Sequence, residues 1–172
     1  MKTLIGPKRF VAGCALVCSL IVAATAVAAS PADFVDEVHA AGIAQIETSR
    51  MAISKTSSTD IESYAVEVIK DYTNANRDLK DIAGKLDLQV STDEQILDKA
   101  KKLMLEVQVG DSFDAAYAAN QVKTCEEAIE LLKPQANSPD SPQLQAFAEK
   151  YLPKLEMHLV MAQKLVDAHH KS

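Results

Sequence analysis

Tryptophan is missing from this chain, glycine occurs five times in 172 residues, and aromatic side chains make up 5% of it. So little glycine leaves no material for a Gly-rich phosphate loop, and no stretch alternates in the manner of a strand. Cysteine is almost as scarce. Of three, Cys14 and Cys18 fall in an N-terminal segment expected to be removed, which leaves Cys125 alone. No disulfide within the mature chain is then available, and the fold must rest on its apolar core. A single thiol in an oxidising compartment is either buried or reactive. An excess of positive charge is lacking too. Without Lys2, Lys8 and Arg9 the chain keeps 15 Lys and Arg against 24 Asp and Glu, a net charge of −9. Nucleic acid and anionic lipid are therefore not expected partners, since both are bound through basic patches. There is no Ser-His-Asp order and no His-Glu-x-x-His, and no enzymatic activity is assigned from the sequence.

What is present begins with residues 1–28, which read as a secretory signal peptide. Lys2, Lys8 and Arg9 form a positive start, Phe10 to Ala24 is an uncharged apolar run, and Ala26-Val27-Ala28 is an Ala-x-Ala cleavage site. The run is about 15 residues, short of the ~20 that span a bilayer, so cleavage is expected and no span remains afterwards. Val11-Ala12-Gly13-Cys14 resembles a lipobox, but the apolar stretch follows Cys14 instead of preceding it. The expected location is the periplasm, or another compartment reached by export. Residues 29–172 then form one domain, long enough to build a core.

Ala, Leu, Glu, Lys and Gln dominate that domain, and all are good helix formers. The spacing predicts a first helix over residues 31–54. Ser30 caps it, and its inward stripe is Val35, Val38, Gly42, Gln45, Ser49 and Ala52, with small residues that allow a close neighbour. A second helix is predicted over 60–86, with Thr59 and Glu62 as a capping box. Its stripe is Ile61, Ala65, Val68, Tyr72, Ala75, Leu79, Ile82 and Leu86. Residues 87–110 form a crossover with a short amphipathic helix capped by Thr92 and ended by Gly110. It carries Ile96, Leu97, Ala100, Leu103, Met104 and Val107. A third long helix is predicted over 111–133, with Ala118, Val122, Cys125, Ile129 and Leu132 inward and Pro134 as its stop. A fourth covers 142–168, through Leu144, Phe147, Ala148, Tyr151, Leu155, His158, Ala162 and Leu165. Pro153 is expected to kink or break it between Glu149 and Leu152. Two short connections and one long crossover give the connectivity of a ferritin-like antiparallel four-helix bundle.

Gln45, Tyr72, Cys125 and His158 interrupt apolar stripes near the middle of their helices, so they are expected to meet at one level of the core. Glu47 lies close in sequence and is counted with them as a central polar cluster. A ferritin-like di-iron site wants carboxylates on all four helices and two Glu-x-x-His motifs, and the chain has none. Cys125 with His158 is the candidate metal pair, since thiolate and imidazole suit Zn or Cu(I), with Met157 and Met161 nearby. The plainer reading is a network in which Tyr, His and Gln satisfy one another and fix helix register. His39 is placed on the flank of the first helix, His169 and His170 at a frayed tail, and Glu126, Glu127 and Glu130 on a solvated face. The exposed side of the crossover helix, through Leu97, Leu103 and Met104, is a candidate adaptor surface.

Several phrases resemble an exported bacterial family of unknown function with a ferritin-like bundle, often catalogued as predicted outer membrane proteins. They are Asp33-Phe34-Val35, Gly42-Ile43-Ala44-Gln45-Ile46-Glu47, Val68-Ile69-Lys70-Asp71-Tyr72 and Asn76-Arg77-Asp78-Leu79. Phe113-Asp114-Ala115-Ala116-Tyr117 with Gln121-Val122, and Leu152-Pro153-Lys154-Leu155-Glu156-Met157-His158-Leu159, complete the set. The resemblance spans roughly residues 33–165 and implies the bundle fold and export. That family usually has Glu where Gln45 stands and His at the positions of Tyr72 and Cys125, while Glu47 and His158 keep the common type. A metal function in relatives is therefore not expected to carry over unchanged.

Overall fold

The computed structural model describes residues 30–104 and 113–169. The expected signal peptide, Val107 and Gly110 lie outside the described residues. Among those described there are five helices and no strands: α1 (Pro31–Lys55), α2 (Thr59–Lys85), α3 (Asp93–Met104), α4 (Phe113–Ala136) and α5 (Pro142–His169). Four are long and α3 is short.

Helix starts follow local chemistry. The Ser30 hydroxyl accepts the Asp33 N–H at 3.2 Å, with Pro31 in the first turn, as expected. For α2 the expected cap is corrected. Thr59 is already helical, and the N-cap is Ser58, whose side chain makes no cap bond. The Ser58 hydroxyl donates instead to Asp60 at 2.7 Å, and Asp60 accepts the Ile61 N–H at 2.8 Å. A carboxylate in the first turn thus displaces the Thr59 and Glu62 box. The capping box appears at α3: Thr92 Oγ1 accepts the Gln95 N–H at 3.4 Å, and Gln95 Oε1 accepts the Thr92 N–H at 3.0 Å. The end of α2 is a Schellman turn, with the Leu88 N–H bonded to the Ala83 carbonyl at 3.1 Å and Asp87 left-handed at φ 49°.

Both interior prolines depart from expectation. Pro134 does not stop α4, which runs to Ala136. The helix closes through Asn137 and Ser138 N–H groups bonded three residues back, at 3.2 and 3.1 Å, and Asn137 Nδ2 donates to the Lys133 carbonyl at 2.8 Å. Pro153 does not break α5, which is continuous from Pro142 to His169. Pro153 itself is exposed, while Tyr151 and Leu155 on either side are buried. One missing backbone bond on the outer face is offset by packing on the inner one.

Helices α1 and α2 pack as one hairpin and α4 and α5 as another; α2 packs on α5, α1 on α4, and α3 on α1. Bonds fix the directions. Asp60, Asp71 and Asp78 of α2 meet His169, His158 and Tyr151 of α5 in reverse order, so these two are antiparallel. Ser49 with Tyr117 and Lys55 over the Phe113 ring make α1 and α4 antiparallel. Helices α2 and α4 then run parallel across the diagonal, as the long crossover between them requires. The core contains Val35, Val38, Ile61, Val68, Leu79, Ile129, Leu132, Leu144, Phe147 and Leu165, with Ala52, Ala65, Ala118, Ala148 and Ala162 where helices approach closely. Gly42 marks a close approach of α1 and α2: a Cβ there would stand 2.2 Å from Asn76 Oδ1.

Helix α3 is held more lightly. Ile96 and Ala100 are buried, and Leu97 and Leu103 are exposed. Its leading turn is pinned to α1 by the buried Asp36 carboxylate, which accepts the Ser91 N–H at 2.9 Å and the Ser91 hydroxyl, with Lys99 at 3.7 Å.

Candidate functional site

The polar residues of the interior fall into two groups joined by the Tyr64 ring, which touches His158 of the first and carries the hydroxyl of the second. In the first, His158 of α5 is fully buried and its Nε2 lies 3.1 Å from Asp71 of α2. Asp71 also accepts from Lys154 Nζ at 2.7 Å. Burial works to raise the Asp71 carboxyl, but the hydrogen bonds from Lys154 and His158 outweigh it and hold it below its ordinary value. Burial lowers His158, against the opposing pull of Asp71, so the ring is neutral at pH 7. An ionised carboxylate can only accept, so the proton of the neutral ring sits on Nε2. Nδ1 is then a bare acceptor, buried and without a partner.

In the second group, the Tyr64 hydroxyl donates to Gln121 Oε1 at 3.3 Å and contacts Cys125 Sγ at 3.7 Å. The Tyr64 ring meets His158 edge to face at 5.8 Å and Tyr117 at 6.2 Å. Tyr117 and Ser49 share a hydroxyl bond of 2.9 Å. Burial pushes the Cys125 thiol up to about 11, with the Tyr64 bond pulling the other way. Burial likewise raises Tyr64, Tyr72 and Tyr117 well above the ordinary phenol value. These groups are neutral, and among the described residues the carboxylates buried in the bundle are Asp71, beside Lys154, and Asp36 at the α3 latch.

Two interior spaces adjoin these groups. One lies among all four long helices and is lined by His158, Asp71, Tyr72, Asn76, Phe147 and Leu155; its volume open to the centre of a water is about 30 Å³. The other lies between α1 and α4 under Leu103 of α3, is lined by Gln45, Thr48, Tyr72 and Thr124, and on the same measure is about 110 Å³. Ala41, Tyr72, Ala128 and Leu131 line both. Gln45 Oε1 and Asn76 Oδ1, like His158 Nδ1, are buried without a hydrogen-bond partner.

The expected cluster is thus distributed, with Tyr72 as its hinge. Tyr72 shares one space with His158 and the other with Gln45. Cys125 meets Tyr64, its one hydrogen-bond partner among the described residues. Glu47 stands apart: it is half-exposed on α1 and pairs with Arg50 one turn on. Tyr64 is named in no reading of the sequence, and Asp71, Asn76 and Gln121 enter it only within the family phrases, not as site residues. Their signal is positional: Tyr64 lies four residues before Val68, Asp71 three after it, Asn76 three before Leu79, and Gln121 four before Cys125, each at helical spacing from a predicted stripe residue. Among the described residues no group of three or more His, Cys, Asp or Glu side chains is placed to hold a metal ion. No helix among them is long and apolar enough to cross a membrane.

An all-helical bundle with a buried carboxylate–histidine pair between two of its long helices is the class that fold and site define. The family "Domain of unknown function (DUF4142)" matches residues 19–165, most of the chain, and the chain belongs to that family. No curated protein matches the chain. No solved structure matches it.

Proposed function

We propose that this chain is an exported, ferritin-like helical bundle that acts by binding within its interior and not by catalysis. Residues 1–28 direct it out of the cytoplasm and are removed at Ala28, and the bundle works in the periplasm or an equivalent envelope compartment. One observation carries the binding reading: three buried acceptors, on Gln45, Asn76 and His158, line adjoining interior spaces and lack protein partners. Such atoms cost about 1–3 kcal/mol each when left unsatisfied, so something supplies them with donors. Ligand sites of this kind are mostly apolar, with a few convergent polar groups.

A specific observation favours a second reading, a Zn or Cu site using Cys125 and His158. Asp71 orients His158 through Nε2, as a carboxylate commonly orients the far nitrogen of a metal-bound histidine, and leaves Nδ1 free. Both readings are tested on protein purified from the exported fraction. Native mass spectrometry is expected to show a chain beginning at Ala29 with an organic adduct that is lost on denaturation. Stoichiometric metal, lost in Cys125→Ala and in His158→Ala, would replace the first reading by the second. A bare mass, with water alone in the interior of a high-resolution crystal structure, would overturn both.

A further inference from the structure

The chemistry of the cavity walls narrows the ligand further, an inference that rests on the interior-binding reading above. Three unpartnered atoms belong to side chains on the cavity walls, and all three are acceptors: the amide oxygens of Gln45 and Asn76, and Nδ1 of His158; the fourth, the Gln121 Nε2 donor, lies on neither wall. All three side chains are at least nine-tenths buried, with relative exposures of 6%, 9% and 0%. The rest of the lining is dominated by Ala, Leu, Val and aromatic carbon. The charged groups that reach the walls are already paired, Asp71 with Lys154 at 2.7 Å and Glu127 with Lys123 at 3.8 Å. A charged ligand would enter without a counter-charge, at a cost of several kcal/mol for an unpaired buried ion. A purely apolar ligand would leave the acceptors as they are. The larger space, about 110 Å³ and partly open to solvent, is somewhat below the ~150 Å³ of a cavity that takes benzene, and the smaller space adjoins it at Tyr72.

From this we infer that the paired cavities around Tyr72 take a small, uncharged, ring-sized molecule that carries a hydrogen-bond donor, a phenol or aromatic alcohol being the simplest case. The ring lies against Ala44, Ala128 and Leu131, and its donor meets Gln45 Oε1. Leu103 of α3 covers the site.

Calorimetric titration of the mature protein with phenol, and with anisole as the same ring without a donor, tests this. Phenol is expected to bind saturably and anisole about tenfold more weakly, the value of one net hydrogen bond. Gln45→Met, which keeps length but loses the acceptor, is expected to make the two equal. Ala128→Leu fills the wall common to both spaces and is expected to abolish both; if that variant does not fold, the Gln45→Met arm decides alone. Equal binding of phenol and anisole by the wild-type protein would overturn the donor requirement while leaving interior binding intact. Binding of neither probe would overturn the inference. Waters on Gln45, Asn76 and His158 in a crystal structure would then overturn interior binding with it.

Discussion

Gly42 and Asn76 show how much a single position decides. The Asn76 amide occupies the place where a side chain at residue 42 would begin, 2.2 Å from an added Cβ. Gly42→Ala is therefore expected to cost about 1–3 kcal/mol by overpacking. Asn76→Ala in the same chain is expected to recover most of it, and urea unfolding of the two single variants and the double variant measures the coupling. Half of this pair was legible in the sequence, since Gly42 lay in a stripe of small residues. The other half was not, because an Asn beside a stripe looks like any solvated polar residue until the neighbouring helix is in place. Cys125 and His158 were legible as buried for the opposite reason: each fell on an apolar stripe at helical spacing. Asp71 was hidden because a carboxylate enters a core only when it brings partners, and Lys154 and His158 sit 83 and 87 residues further along the chain.

At the scale of elements, the five helices and their order were readable from periodicity, and their ends were less so. Local rules made Pro134 a stop and Pro153 a break. Both helices continue because the cost of a lost N–H is local, whereas the gain from burying Leu132, Tyr151 and Leu155 comes from other helices. Helix α3 is the element with least tertiary support, packed on α1 and pinned by Asp36. Asp36→Ala leaves the Ser91 N–H and hydroxyl without their acceptor. The expected result is faster amide exchange across Asp93–Met104, with the middle of α2 and α5 unchanged, read by hydrogen–deuterium exchange mass spectrometry. Equal loss of protection in α2 and α5 would mean that α3 is integral to the bundle and not an attached cover.

For the molecule as a whole, acid acts through the seam between α2 and α5. His158 is lowered from its ordinary 6.5 by burial, so the folded state binds fewer protons than the unfolded chain below that pH. The stability this confers is complete above about 6.5 and is lost as pH falls from there through the folded value. His39, lowered by burial and by Lys80, adds in the same direction. Asp71, held below 3.8, contributes stability above that value and loses it at still lower pH. The urea midpoint is expected to fall between pH 7 and pH 5. His158→Gln keeps a donor for Asp71 but gains no proton, and should flatten most of that slope; an unchanged slope would place the acid response elsewhere.

The same seam has a mechanical corollary. Helix α1 starts beside the end of α2, and α5 ends where His169 meets Asp60 at the start of α2. The 27 residues of α2 set these poles about 40 Å apart. A pull between the two ends of the domain therefore runs lengthwise, along α1 and α5 together. It loads the bonds of Asp60, Asp71 and Asp78 in shear and at once, so the helices must slide past one another before any can peel away.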